Sequence, residues 1–437
     1  MARFLLLAVL FVTPTAKAQE ALRPNILIIF TDDQGYADLG CYGSQKNKTP
    51  RLDKLASEGT RFTSFYSQTV CGPSRSALLT GRQPIRSKGW GMPASETTFA
   101  ELIRETGYQT ACIGKWDVSN RKPIIERMPN AQGFDYYFGT LGANDNGTVK
   151  FHSNNEAAGS TKDMGSLTKL YTDNAISYLK DVRDPEKPFV LYVAHTMMHT
   201  IIDASEKFKG TSAGDLYGDV VEEFDFETGR LLDTLDELNL ASNTLVIYTS
   251  DNGPWNQEKY TGKKKGHPEG SIFWGDAGPL RNGKGSPYEG GYRLPCIARW
   301  PGHVPAGRTS DAIFATIDFL PTFAKLAGFD VPSDRRIDGI DQTELLLGER
   351  NTGRDHFYFS QAGVRQGNWK YLKPKAHFHG YAIEDDREKT DELYNLAEDL
   401  GEQNNLADQN PGLVEELKQL MESIEAGDNL KASDNAR

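Results

Sequence analysis

The sequence predicts an α/β protein: a mostly parallel central sheet flanked by helices on both faces, with a smaller C-terminal α+β subdomain. Three observations predict it. The segment Asn25–Thr31 is apolar without alternation, the pattern of a strand covered on both faces. Further such runs alternate with helix-like stretches, as in a parallel sheet joined by crossover helices. Near Asn351 the texture changes to short strands set close together.

Residues 1–18 stand outside that fold. Arg3 precedes an unbroken apolar run over 4–12, and Ala16-Lys17-Ala18 supplies the small-x-small pattern of a signal-peptidase site. That run is too short to span a bilayer, and no later run approaches the roughly 18 residues a span needs. The expectation is a cleaved signal on an exported chain, periplasmic or secreted, with no membrane span. After the strand at 25–31, a helix is expected over 49–58, with Thr49 as N-cap, Pro50 in the first turn and Gly59 as the stop. A short helix over 98–105 leads to a strand over 108–113. Residues 167–179 read as helix, 188–194 as strand, 217–238 as a longer helix and 244–249 as strand. Beyond 350, the stretches 356–359, 363–372 and 392–396 read as strands, and 413–424 as an amphipathic closing helix. The expected division is a signal at 1–18, an α/β catalytic domain at 19–350 and an α+β subdomain at 351–437.

Composition narrows the function. The 437 residues carry 49 Lys+Arg against 60 Asp+Glu, a formal charge of −11, with 38 % hydrophobic residues and four cysteines. That is ordinary globular composition, and four cysteines cannot be the main support of so long a chain. A net anion is no general partner for nucleic acid or anionic membrane.

Two strands end in acidic corners. The first runs into Asp32-Asp33, and the strand at 244–249 runs into Ser250-Asp251-Asn252-Gly253. In an open α/β sheet, ligands bind outside the carboxyl ends of the strands. Each corner alone reads as a turn or cap. Their recurrence points to a cation that neutralises converging carboxylates, and oxygen-only ligation points to calcium or magnesium rather than zinc. Between them, Cys71-Gly72-Pro73-Ser74-Arg75 reads as a loop entering a helix. Residue 71 then lies at a helix N-terminus, where free amides favour an anion, and Arg75 adds a cation suited to sulfate or phosphate oxygens.

The segment Cys-x-Pro-x-Arg followed by Leu79-Thr80-Gly81-Arg82 resembles the signature of the formylglycine-dependent sulfatases, within the alkaline-phosphatase superfamily. Further motifs follow the family order. They are Thr31-Asp32-Asp33-Gln34-Gly35 with Asp38 to Gly43, Gly114-Lys115-Trp116, Ser250 to Pro254, and Gly283-Lys284-Gly285 with Tyr288 to Pro295. The resemblance runs from about Pro24 to Asn404. It implies an alkaline-phosphatase-like fold and hydrolysis of sulfate esters. Cys71 would be converted to formylglycine by a separate maturation enzyme, and one hydroxyl of the hydrated aldehyde would attack sulfur. Asp32, Asp33, Cys71, Asp251 and Asn252 would hold the divalent ion, Ca2+ rather than Mg2+. Arg75 would steady the hydrate, and Lys115 and Lys284 would grip sulfate oxygens. The family's Gly-Lys-Trp-His is Gly-Lys-Trp-Asp here, so Asp117 is expected to take the histidine's place as proton acceptor. Of the two histidines after the strand at 188–194, His199 matches the family's general acid, although Ile201 stands where a proline is usual, and His195 reads as structural.

Lys263-Lys264-Lys265-Gly266-His267 reads either as a solvated loop or as a positive rim for further sulfates, with Trp255, Phe273 and Trp274 as candidate sugar-stacking residues. Such a rim suggests a sulfated polysaccharide or oligosaccharide more than an aryl ester. The other histidines, His152, His303, His356, His377 and His379, have no metal spacing and read as surface or packing residues. With Cys71 committed, Cys41, Cys112 and Cys296 allow one disulfide at most. The alternatives are a phosphodiesterase or phosphonate hydrolase of the same superfamily, and a non-catalytic sulfated-glycan-binding protein.

Overall fold

A computed structural model of the chain describes residues 22–255, 266–267, 270–376 and 390–427. The expected signal at 1–18 and the lysines Lys263, Lys264 and Lys265 lie outside the described residues.

The strands of the large sheet are β1 (Asn25–Thr31), β2 (Thr60–Tyr66), β3 (Gln109–Lys115), β4 (Tyr136–Thr140), β5 (Val149–Ser153), β6 (Glu156–Thr161), β7 (Phe189–Ala194), β8 (Thr244–Ser250), β9 (Arg293–Arg299), β10 (Arg308–Ser310) and β11 (Phe314–Ala315). Among the described residues their order is β10-β2-β9-β8-β1-β7-β3-β4-β5-β6, with β11 beside β2. The centre is parallel: β1 pairs in parallel with β7 and β8, and β3 with β7 and β4. Antiparallel pairs enter only through β9 on one side and β5 and β6 on the other.

The unalternating run of β1 has the expected cause. Leu27 and Ile29 enter one hydrophobic core with Leu52 and Leu55 of helix α1 (Pro50–Ser57), Tyr171 and Phe224. Ile26, Ile28 and Phe30 enter the other, with Leu78 and Leu79 of helix α2 (Cys71–Thr80), Phe99 and Phe323. Every residue of β1 is buried, as a strand between two helical layers requires.

Several expectations change in detail. Thr49 makes no side-chain cap on α1; the cap comes from the helix Asp215–Glu237, whose Asp225 carboxylate accepts from the backbone N–H of Leu52 (2.8 Å) and Arg51 (3.1 Å). The helix Phe99–Glu105 does have the local device, a capping box between Thr98 and Glu101. The helix from Leu167 is α-helical to Ser177 and ends in a wider turn over Tyr178–Val182.

The second sheet, β12 (His356–Tyr358), β13 (Gly363–Gln366), β14 (Trp369–Leu372) and β15 (Glu392–Asn395), is antiparallel throughout. The single strand expected over 363–372 is a hairpin, because Gly367 (φ 55°) turns the chain where a straight strand would continue. The helix Pro411–Ala426 closes this sheet through Val414, Leu417, Met421 and Ile424. All four cysteines are free thiols, so the bridge left open by the sequence does not form. No described helix is long and apolar enough to cross a membrane.

Candidate active site

The site lies at the carboxyl ends of the central strands. β1 and β8 are in register from Asn25 with Thr244 to Thr31 with Ser250, so the corners that follow them are adjacent. The Asp33 N–H donates to Asp251 Oδ1 at 3.2 Å across the gap. The first residue of α2 is Cys71, whose helix N-terminus points residue 71 at both corners. Its Sγ is 3.4 Å from Asp32 Oδ1 and 4.0 Å from Asp33 Oδ1. One oxygen from each of Asp32, Asp33 and Asp251 and the Cys71 sulfur all lie within 4.8 Å of one another.

Three cations close around them. Arg75, one turn into α2, donates to Asp32 Oδ2 (3.1 Å), Asp251 Oδ2 (2.9 Å) and the Lys115 carbonyl (2.9 Å). Lys115 ends β3 and donates from Nζ to Asp32 Oδ2 at 2.6 Å. Lys284 Nζ donates to both oxygens of Asp33 (2.6 and 2.8 Å) and lies 3.5 Å from Cys71 Sγ. All six charged groups are buried.

Burial favours the protonated form of Asp32, but Lys115, His199, Arg75 and Lys284 outweigh it and hold this acid far below the usual carboxylate range. Burial, with Asp32 and Asp251 adding to it, pushes Asp33 up to about 7 against the pull of Lys284. Asp251 is raised by burial and by Asp32. The Cys71 thiol is raised well above its ordinary value by burial and by the Asp251 and Asp32 charges. Buried carboxylates so close together are the setting a hard cation stabilises. Asn252 supplies the fit test: its Nδ2 donates to Asp33 Oδ1 (2.7 Å) while its Oδ1 is buried with no hydrogen-bond partner. A buried amide oxygen without a partner, on a residue whose Nδ2 meets Asp33, suits a divalent ion with oxygen ligands.

His199 Nε2 lies 3.7 Å from Asp33 Oδ2 and 3.6 Å from Asp145 Oδ1, with Nδ1 at 2.6 Å from the Thr200 carbonyl. Burial, with Lys284 adding, lowers its pKa to about 3. His195 is packed edge-on against Phe224 and Tyr171 rather than turned toward the site residues. Asp117 is buried at φ 57°. Its Oδ1 accepts from Arg121 Nε (2.7 Å), its Oδ2 from Trp90 Nε1 (3.1 Å), and Lys115 Nζ lies 3.5 Å away.

His267 borders this group rather than entering it: its Nε2 is 3.0 Å from Thr200 Oγ1 and its ring stacks on Phe273 at 4.8 Å. Trp255 and Phe273 are fully buried, so neither presents an open face to a sugar, contrary to the expectation for them. Trp255 instead walls the site, 4.8 Å from Lys284 Nζ and 5.8 Å from the His199 ring. His303 stacks on Trp300, and His356 pairs with Asp355. His377 and His379 lie outside the described residues.

Three neighbours escape the sequence reading. Arg121 bridges Asp117 and Asp145, at 2.7 and 2.8 Å; Arg121 and Asp145 are 41 % and 38 % exposed, whereas Asp117 is closed off. Trp90 covers the start of α2. Gly72 is its sequence trace, since a Cβ there would stand 2.3 Å from Trp90 Cδ1. Nothing in the local sequence marks Arg121 or Asp145.

Comparisons with known proteins identify the family of this fold. The family model described as Sulfatase matches residues 24–329, and that described as N-sulphoglucosamine sulphohydrolase, C-terminal, matches 283–427. The chain is 36 % identical over 370 residues to the N-acetylgalactosamine-6-sulfatase of Canis lupus familiaris, covering 77 % of this chain and 68 % of that one. It is 32 % identical over 387 residues to the arylsulfatase G of Rattus norvegicus, covering 79 % and 72 %. A solved structure described under metabolism of multiple glycosaminoglycans by Bacteroides thetaiotaomicron superposes with a TM-score of 0.80 at 28 % identity, over 93 % of this chain and 100 % of that one.

Proposed function

The chain belongs to the sulfatase family and is a sulfuric ester hydrolase; from that premise we propose that it removes sulfate from a sulfated polysaccharide or oligosaccharide, using a formylglycine made from Cys71 and a calcium ion. The observation that carries this reading is the meeting of the Cys71 sulfur with Asp32, Asp33 and Asp251 inside 4.8 Å. The three cations Arg75, Lys115 and Lys284 stand directly against that group. Calcium fits better than magnesium because the donors are protein oxygens gathered in one buried cluster, whereas magnesium usually keeps several waters.

The modified residue 71 and the cation supply the attacking hydroxyl and the Lewis acid. The rest belongs to the chain's own side chains. Asp32, Asp33, Asp251 and Asn252 hold the cation. Arg75 ties two of those carboxylates to α2, and so fixes residue 71 relative to the cation. Lys115 and Lys284, both buried, offer ammonium protons to the oxygens of the bound sulfate, and more strongly as negative charge builds on them. His199 gives a proton to the leaving alcohol oxygen once the negative charge of the bound sulfate favours its imidazolium form, and Asp117, held by Arg121 and Trp90, accepts the proton released on the other side. The run Lys263-Lys264-Lys265 with His267 in the sequence supports a substrate that carries sulfates beyond the one removed. The relatives named for N-acetylgalactosamine-6-sulfate and the structure described under glycosaminoglycan metabolism support a sulfated sugar as substrate. The pattern over residues 1–18 supports export, during which a maturation enzyme would act on Cys71.

Mass spectrometry of the peptide spanning residue 71, from enzyme made alongside a formylglycine-generating enzyme, tests the chemistry. An aldehyde at that position and sulfate release from sulfated glycans are expected, and Cys71→Ala should lower the rate roughly a thousandfold or more. A fully active enzyme with an unmodified thiol would overturn the formylglycine assignment. Faster turnover of phosphate diesters than of sulfate esters would favour the phosphodiesterase reading.

A further inference from the structure

The segment carrying Lys284 is held at both ends by the C-terminal part of the chain. At its start, Arg281 Nη1 donates to the Glu402 carbonyl at 2.6 Å. At its end, the Glu289 N–H donates to Glu402 Oε2 at 2.7 Å, and Tyr288 OH donates to Glu392 Oε2, on β15, at 3.0 Å. Gly290 N–H to the Arg281 carbonyl (3.0 Å) closes the two ends on each other. Gly290 has to be glycine, since a Cβ would meet the Arg281 and Asn282 carbonyl oxygens at 2.4 Å. Lys284 sits within this loop, and its own N–H donates to the Pro254 carbonyl at 2.7 Å, tying it to the second acidic corner.

Beneath the loop lies a buried ionic group that the reaction does not use. Lys370, on β14, places Nζ 3.0 Å from Glu289 Oε1 and 2.8 Å from Glu402 Oε1, and all three side chains are buried. The other oxygen of Glu289 accepts from Tyr66 OH (2.6 Å) and Arg293 Nη1 (3.3 Å), and Arg365 of β13 bonds to the same Tyr66 hydroxyl. A buried ion cluster contributes little net stability compared with an apolar replacement, and in some proteins it serves to fix one geometry.

We propose that the C-terminal sheet is a positioning part of the sulfate site: Lys370 and Glu402 clamp Glu289, and through it fix the loop that aims Lys284. Lys370 and Glu402 act through Lys284 and do not touch substrate. The inference rests on the reading above that Lys284 grips sulfate. Catalytic geometry is sensitive to shifts of about an ångström, and a lysine on a released loop would be displaced from its place beside Asp33 and residue 71.

The test uses the whole enzyme with two variants, Lys370→Met and the charge-balanced Lys370→Met/Glu402→Gln, assayed well below their melting temperatures. The readouts are KM for a sulfate ester the parent hydrolyses and Ki for inorganic sulfate as a competitive inhibitor. Positioning predicts that both constants rise about tenfold. It also predicts no further rise in Ki when either change is added to Lys284→Ala, because both act through the same group. Unchanged KM, Ki and kcat per folded enzyme, with only less folded enzyme recovered, would mean that the cluster merely supports folding, and would overturn the proposal. If Lys370→Met does not fold, the double variant decides by the same two constants. If the parent neither releases sulfate from any ester nor is inhibited by it, the reading of the site falls, and this inference with it.

Discussion

Asp117 accepts from Arg121 on one oxygen and from Trp90 on the other, so its carboxylate is aimed rather than loose. Asn at this position keeps the shape and one acceptor while removing the charge and the capacity to take up a proton. Asp117→Asn is therefore expected to lower kcat by roughly 10²- to 10⁴-fold with little change in KM, the range of a lost general base. Steady-state kinetics on a sulfate ester checks it, and full turnover in the variant would sink the base role. At this scale the sequence reading reached every inner member of the buried group, from Asp32 to Lys284. Those residues sit in short ordered motifs whose spacing survives without the fold. It missed Arg121, Asp145 and Trp90, because their place at the site is made by three separate loops approaching one another. Only Gly72, with no room for a Cβ under Trp90, left a trace of that approach.

The entry to α1 shows what elements owe to their neighbours. Sequence pointed to Thr49 as the cap, yet Asp225 on another helix does the work through two backbone N–H groups. Burial raises the Asp225 pKa to about 6 from an ordinary value of 3.8. The folded chain thus holds this proton more tightly than the unfolded one. Its contribution to stability is greatest below about pH 4 and falls as the pH rises through 6, by roughly 3 kcal/mol in all. Asp225→Asn lacks this titration. The melting temperature of the parent minus that of the variant should therefore fall by a few degrees between pH 4 and pH 6.5 and stay level above. Thermal melts across that range check the sign; a rising difference would refute it. The elements most legible in sequence were those covered on both faces, such as β1, where packing demands apolar residues without interruption. β2 (TRFTSFY) was not assigned, because its polar residues leave no such run, and the hairpin of β13 and β14 merged into one strand because a single Gly367 was its only mark.

For the whole molecule, a charge of −11 looked unpromising for an enzyme of anions. The fold resolves this by gathering Arg75, Lys115 and Lys284 at one point, directly against Asp32, Asp33 and Asp251. Exhaustive chelation is expected to abolish turnover and lower the melting temperature by several degrees, both restored by added calcium. Saturating a site a hundredfold above its Kd is worth about 2.7 kcal/mol. Melts and assays before and after calcium is returned check this, and a chelated enzyme unchanged in both would contradict the cation site. The change of texture near residue 351 was plain in the sequence, whereas the burial of Lys370 against Glu289 was not, since no local pattern records which distant carboxylate a strand lysine will meet.

That contact also sets an order in time. Synthesis delivers Asp32 and Lys284 well before Glu402, so the loop bearing Lys284 has no clamp until that later segment has been made. Cys71 is buried in the folded protein, so an enzyme that modified it would have to act before the fold closes around it.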